Sequence, residues 1–230
     1  MAGFTGAPPI VTDGLVFAVD AANYESYPGS GTTWSDLSGN GSNGTLINGV
    51  SFNSSSNYLN LDGADDYIQI NNWSNSSPTN TYTVEMWARW REGTSDMFMG
   101  FTTYDIWTAD GHLGFNTGES DVYGISSTQV NNLNLVGTNT SNWHYYIFEF
   151  TNQVQNNKIY IDGVEQVLSQ QRGTTNLTAG RSFPSSFRIG TWNNSLGYNF
   201  NGDISTFKIY NRSLTLSEIL QNYNALKSRF

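Results

Sequence analysis

Within Trp34-Ser-Asp-Leu-Ser-Gly-Asn-Gly-Ser-Asn-Gly44, Asp36, Ser38 and Asn40 alternate with small residues and run into Gly41. Oxygen-bearing side chains at this spacing can converge on one cation while glycine allows a tight turn, which is the first half of a calcium loop. The second half is missing: where an EF-hand places a bidentate glutamate, this chain has Ile47. The same residues also suit a set of turns between two strands.

Hydrolytic chemistry finds less support. A glycosidase needs two carboxylates flanking one bond, yet Glu85 has Trp87 and Arg89 at i+2 and i+4. Asp65 and Asp66 are adjacent, so in a strand they would face opposite ways, and their expected place is a turn. His112 and His144 are the only histidines, and no cysteine or nucleophile-elbow serine accompanies them. Both read as strand residues. Sugar recognition needs only exposed rings for stacking and amides or carboxylates for hydroxyls. Loop aromatics Trp73, Trp107, Trp192 and Tyr198 are the glycan-binding candidates.

Ten basic residues against nineteen acidic give a formal charge of −9, with no basic cluster to hold nucleic acid or an anionic membrane. With no cysteine, a core must hold the fold without disulfides, which 230 residues can supply. The first fourteen residues lack the charged start and apolar core of a secretory signal, so synthesis in a cytoplasm is expected. Thirteen Tyr, thirteen Phe and seven Trp, separated by Asn, Ser and Gly, indicate many short strands joined by turns.

Residues 1–13, interrupted by Pro8 and Pro9, read as an N-terminal arm that is either disordered or laid on a neighbouring subunit. Residues 14–230 then form a single domain. Leu15 to Val19 is a short apolar run suited to a strand covered on both faces, and Trp34 is a core plug in a loop from Ala21 to Gly44. Thr81 to Trp90 alternates, with Tyr82, Val84, Met86, Ala88 and Trp90 on a core face and Thr83, Glu85, Trp87 and Arg89 on a mixed one. Further strands are expected near residues 45–47, 58–61, 67–70, 96–101, 104–108, 112–115, 143–150, 158–161, 187–190 and 203–210. Ser126 to Ser141 reads as a long loop with room for one short strand, and Gln170 to Ser186 as a surface excursion. A helix at about 215–226 starts from a Thr215/Glu218 capping box, with Leu214 stapled to Ile219. Its apolar stripe is Leu216, Ile219, Leu220 and Tyr223, for packing on the sandwich, and the tail Lys227 to Phe230 is a candidate for docking on a partner chain.

Taken in order, Trp34-Ser-Asp-Leu-Ser-Gly-Asn-Gly-Ser-Asn-Gly44, Leu61-Asp-Gly-Ala-Asp-Asp-Tyr67, Tyr82-Thr-Val-Glu-Met-Trp87, Asn142-Trp-His-Tyr145, Ile159-Tyr-Ile-Asp-Gly163, Phe187-Arg-Ile-Gly190 and Phe200-Asn-Gly-Asp-Ile204 resemble the concanavalin A-like lectin/glucanase superfamily in its laminin-G-like form. The likeness runs on through Ile209-Tyr-Asn-Arg-Ser-Leu-Thr-Leu-Ser-Glu218 and covers roughly residues 14 to 225. It implies an all-β jelly-roll sandwich of two antiparallel sheets with one short C-terminal helix. First and last strands would lie side by side, bringing Asp203 near Asp20 and the Asp36 loop. By this resemblance and their oxygen chemistry, Asp20, Asp36, Asn40, Asn43 and Asp203 are the ligands for a structural Ca2+, although Ser205 stands where relatives carry an acid. The paired carboxylates of the superfamily's glucanases, Glu-x-Asp-x-x-Glu or a close variant, have no match here.

Ile10-Val-Thr-Asp-Gly-Leu15 and Ser26-Tyr-Pro-Gly-Ser-Gly-Thr-Thr-Trp34 resemble, more narrowly, laminin-G-like virion proteins of tailed and especially marine bacteriophages. The expectation ranked first is therefore a non-enzymatic protein of a phage virion surface, in capsid decoration or the tail and fibres. It would be made in the host cytoplasm and dock on other virion proteins and on copies of itself. A carbohydrate-binding lectin or adhesin module is the alternative, with a glycan as partner, and a glycan hydrolase ranks third. Neither nucleic acid nor membrane is an expected partner.

Overall fold

The computed structural model describes residues 8–73, 76–101, 104–118, 120–137, 142–175 and 184–230. Its strands in chain order begin with β1 (Leu15–Asp20), β2 (Thr33–Trp34), β3 (Gly44–Ile47), β4 (Ser51–Asn53), β5 (Tyr58–Asp62) and β6 (Tyr67–Asn71). The middle of the chain supplies β7 (Tyr82–Glu92), β8 (Met97–Gly100), β9 (Asp105–Ala109), β10 (His112–Asn116) and β11 (Val122–Ile125), then a helix, α1 (Ser127–Asn132). After it come β12 (His144–Phe150), β13 (Lys158–Ile161), β14 (Val164–Glu165), β15 (Ser169–Arg172), β16 (Ser186–Ile189), β17 (Asn201–Tyr210) and α2 (Leu216–Leu226). No helix among the described residues is long and apolar enough to cross a membrane.

Two antiparallel sheets form the sandwich. The first runs β14-β13-β12-β7-β17-β5-β4, with β1 also paired to β17; the second runs β15-β11-β10-β9-β8-β16-β6-β3-β2. β17 is the seam of the first sheet. One side pairs with β7 along its length, and the other takes β5 at Asn201–Ile204 and β1 at Thr206–Tyr210. First and last strands therefore do lie side by side, as the resemblance implied. Between the sheets Phe17, Trp34, Trp90, Phe98, Phe115 and Phe148 are fully buried, so Trp34 is a core plug, although it lies in β2 rather than in a loop.

Alternation on β7 is as the sequence pattern required, but its second face is not mixed: every residue from Tyr82 to Trp90 is buried. The cover is α2, the arm and the C-terminal tail. Glu85 sits at 0% exposure with Lys208 Nζ 2.5 Å from its Oε1, and Asn222 Nδ2 donates to Oε2 at 2.7 Å. Asn222 also donates to the Tyr210 hydroxyl and accepts the Val11 amide, while Tyr210 donates to the Val11 carbonyl. Trp87 stacks on Phe230 at 4.4 Å and on Tyr223 at 5.7 Å.

These contacts correct the expected helix stripe. The inward face is Ile219, Asn222, Tyr223 and Leu226, spaced i, i+3, i+4, i+7, whereas Leu216 and Leu220 point outward at 53% and 38% exposure. A polar residue is drawn inward because Glu85 and Lys208 beneath it require hydrogen-bond partners. The Thr215/Glu218 capping box is present, and Arg212 beside Glu218 holds that carboxyl down at about 2. The tail expected to dock on a partner folds back on its own chain, Arg229 making a two-pronged ion pair with Asp20. Arm residues Pro9 and Val11 likewise bond α2 of the same chain; residues 1–7 lie outside the described residues.

Two further expectations change. The Ser126 to Ser141 span begins with α1, not a strand, because Ser126 and Gln129 form a second capping box. The excursion from Gln170 starts as β15, an edge strand on β11.

Replacing Asn222 with Ala should destabilise the protein by about 2–3 kcal/mol, since it strips partners from Glu85, Tyr210 and the Val11 amide at once. Leu216→Ala on the outward face should cost under about 0.5 kcal/mol. Urea unfolding midpoints of the two variants separate the faces.

Candidate functional site: an aromatic cleft on the second sheet

β8 to β11 turn one face into the core and leave the other uncovered by any helix. Ile106, Leu113 and Phe115 point inward; Met97, Trp107, Ala109 and Val122 form a separate outward cluster. Trp107 stands opposite Gly114, which stands opposite Gly124. A Cβ on either glycine would lie within 2.4 Å of backbone in the other strand, so the ring has neighbours without side chains on two successive strands. The strands approach closely here, and the space on this face opens on the other side of Trp107, toward Asn116 and Ser120.

The loop after β16 closes this space. Thr191 Oγ1 donates to the Gly197 carbonyl, Arg188 Nη1 to the Trp192 carbonyl, and the Met97 amide to the Tyr198 carbonyl. Held this way, Tyr198 meets Trp107 edge-on at 5.5 Å and Trp192 at 6.5 Å. Met97, Asn116 and Ser120 complete a shallow cleft of about 70 Å³. Its opposite wall is fixed by Asp121, which accepts from the Thr117 amide and hydroxyl and from Thr175. Arg172 lies over the Trp107 ring at 5.4 Å and pairs with Asp110.

Three of the four aromatic candidates thus converge, although they come from β9 and one distant loop. Tyr198 is 45% exposed, while the indole N–H groups of Trp107 and Trp192 are buried and meet no acceptor. Trp73 is the exception. It is a core residue, 2% exposed, packed on Tyr82, Phe101 and Phe187 with its N–H on the Pro184 carbonyl. Sequence reasoning missed Asn116 and Ser120, which no spacing rule links to Trp107.

A cleft of this volume cannot enclose a small molecule, for which several hundred Å³ is usual. It can seat the face of one ring against Tyr198, beside Trp192 and the exposed Ser120. Among the described residues lining it, none is acidic. Asp105 lies just behind, hydrogen-bonded to Asn116 and fully buried, and burial holds its carboxyl well above the usual range. Burial also raises Asp96 to about 6, against the opposing hydrogen bond from Trp90 Nε1.

The five oxygen-bearing residues expected to hold calcium all have protein partners. Asp203 is taken by Arg89 at 2.6 Å and Arg91 at 3.3 Å, with Asn60 donating as well. Asp20 is taken by Arg229. Asp36 accepts the amides of Ala18, Ser38 and Ser42 and the Ser38 hydroxyl. Asn43 accepts from the Asp36 amide and Asn40 donates to the Val16 carbonyl, so this loop closes on itself by hydrogen bonds. Asp62, Asp65 and Asp66 bring carboxylate oxygens within 4.8 Å of one another, but in the β5–β6 turn, where Asp66 accepts the Asp62 amide. His112 accepts the Ser127 amide and His144 pairs with Asp162, each at the start of a strand.

Residues 62–220 match the Laminin_G_3 family model, described as the concanavalin A-like lectin/glucanases superfamily. No curated protein matches the sequence significantly. Among solved structures, the chain is similar to the receptor binding domain of botulinum neurotoxin C/D mosaic serotype, with TM-score 0.64, 13% identity and coverage of 93% of this chain and 51% of that one. It is also similar to the binding domain of botulinum neurotoxin DC in complex with rat synaptotagmin II, with TM-score 0.66, 16% identity and coverage of 94% and 52%. A third likeness, with the same four values, is to botulinum neurotoxin type C, whose cell entry is described as dependent upon interaction with two ganglioside molecules. This chain spans about half the length of each, and at these identities the likeness concerns the fold.

Both raised carboxyls bind protons more tightly folded than unfolded. Their contribution to stability is complete below about pH 4 and is lost as pH rises through about 6 for Asp96 and higher for Asp105. Asp105→Asn, which removes that ionisation, should raise stability at neutral pH by about 1–2 kcal/mol and flatten the fall between acidic and neutral pH, read by denaturation across a pH series.

Proposed function

Since the chain belongs to the concanavalin A-like lectin/glucanase superfamily, in its laminin-G-like form, we propose that it is a non-enzymatic carbohydrate-binding module whose contact surface is the cleft of Trp107, Trp192 and Tyr198. The observation that carries this reading is their convergence: Tyr198, 45% exposed, stands edge-on to Trp107 and Trp192 over a cleft whose other lining includes Asn116 and Ser120. Catalysis is disfavoured by the same geometry, since glycoside cleavage needs two accessible carboxylates and Asp105 and Asp121 are both at 0% exposure behind Asn116 and Thr117. Of the neurotoxin structures of like fold, one is described as a receptor binding domain and another by a cell entry dependent upon two ganglioside molecules, which agrees with a binding role on this fold.

The setting we favour is the surface of a bacteriophage particle. It is supported by the two N-terminal segments that resemble phage proteins, by the strongly acidic exterior and by a core that stands without disulfides. Because Val11 and Pro9 are engaged by α2, docking on other virion proteins, including further copies of this chain, falls to the outer loops or to residues 1–7.

On a glycan array the wild-type protein should bind a subset of sugars, and Trp192→Ala should weaken that binding by about tenfold or more in a variant that is still folded at the assay temperature. Absence of binding across the array would remove the carbohydrate reading. Purified particles that lack the protein would remove the virion setting without touching it.

A further inference from the structure

A second ring-binding surface lies elsewhere on the molecule. Between the β1–β2 loop and the β4–β5 loop is an open groove of about 300 Å³, four times the volume of the cleft on the second sheet. Tyr27 and Phe52 form its floor as an edge-to-face pair at 5.1 Å, with Pro28 beside them. Tyr24 rises over this floor at 75% exposure, more than any other described aromatic residue among the exposed large side chains. Ser54 and Asn57 stand on the opposite wall, both exposed, and neither side chain has a partner among the described residues.

Both walls are held in place. Asn23 caps the turn that carries Tyr24, accepting the Glu25 amide on its side chain and the Ser26 and Tyr27 amides on its carbonyl. Ser26 ties the loop to β2 through the Ser35 carbonyl, and Tyr27 donates its hydroxyl to the Gly31 carbonyl. Across the groove, Asn53 accepts the amides of Ser55 and Ser56, and the Asn57 carbonyl accepts from Ser205. A ring beside an apolar floor gains by folding down onto it. Here the loop prevents that.

The lining identifies the class of ligand. None of its side chains is charged, so an ionic partner has nothing to pair with. A free aromatic face opposite an uncommitted amide and hydroxyl matches the apolar face and equatorial hydroxyls of a neutral pyranose. The groove is built wholly from residues 21–57, ahead of the stretch 62–220 that the family model matches.

We infer that Tyr24, Ser54 and Asn57 form a second carbohydrate-binding site, for neutral hexose or N-acetylhexosamine units, independent of the Trp107 cleft. It shares a ligand class with the function proposed above and none of its residues. Two weak sites on one rigid sandwich raise avidity for a dense glycan surface without strengthening either contact.

The test is a titration of the full-length ¹⁵N-labelled chain with neutral hexasaccharides of glucose, galactose, mannose and N-acetylglucosamine, followed by NMR. Shifts at the amides of Tyr24, Ser54 and Asn57 should appear in the wild type and persist in Trp192→Ala. Tyr24→Ala should weaken them by about tenfold while Tyr24→Phe stays within about twofold, with no change in melting temperature, since the side chain stands in solvent. Shifts at the Trp107 cleft alone, or groove shifts that survive Tyr24→Ala, would overturn this site and leave the cleft standing. Shifts at the groove alone would do the reverse, and shifts at neither would end both.

Discussion

A carboxylate and an ammonium buried on the outside of a sheet impose the arrangement of both chain ends. Glu85 and Lys208 face away from the sandwich core, on the two strands that pair at the centre of the first sheet. Left open to water they would be an ordinary cross-strand pair. Covered, they become a liability unless every remaining lone pair and proton is met. Asn222 meets the second oxygen of Glu85, and in doing so it also binds Val11, 211 residues earlier in the chain. Trp87, Tyr223 and Phe230 then shield the cluster with apolar area, so one polar requirement and one hydrophobic one select the same docking geometry.

That cover makes the two sheets unequal. The first spends its outer face on α2, the tail and the arm; farther along the same face, Arg89 pairs with Asp203 and lies against Tyr58 and Trp143. The second sheet has no helix across β8 to β11, and its outward residues must cover themselves. They do so with an aromatic cluster in which Trp107 and Trp192 lie mostly inside and Tyr198 stays accessible. Recognition chemistry therefore falls where packing chemistry stops. The groove at Tyr24 obeys the same logic at the loop end, where a pinned turn keeps a ring from folding inward.

Much of this was legible in the sequence where one signal dominated. Alternation on β7 and the apolar run of β1 placed central strands, and the Thr215/Glu218 pair placed α2 to the residue. Failures came where a tertiary partner outvoted a local rule. Leu216 and Leu220 fit an apolar stripe, but the sheet beneath offers charges, which turned Asn222 inward instead. α1 was announced by Ser126 and Gln129, a capping signal overlooked because no apolar run follows it. Trp73 and Trp107 look alike in a polar context, and only the faces they occupy tell a core ring from a cleft ring. The partners of Asp20 and Asp203 were hidden for a similar reason, since Arg89, Arg91 and Arg229 are remote in sequence from the oxygens they occupy.

The margins of the sheets carry a consequence of their own. β2 and β14 are two residues long, β4 three and β15 four, and the free edge of the six-residue β1 is occupied by Asp36, Leu37, Ser38 and Asn40, so the borders offer a neighbour only a few free amides and carbonyls. A ladder that short gives a docking strand too little to hold, and a net charge of −9 adds repulsion between copies. A β-rich protein with blunt borders can be crowded at high copy number, tethered or free, without zippering into fibrils.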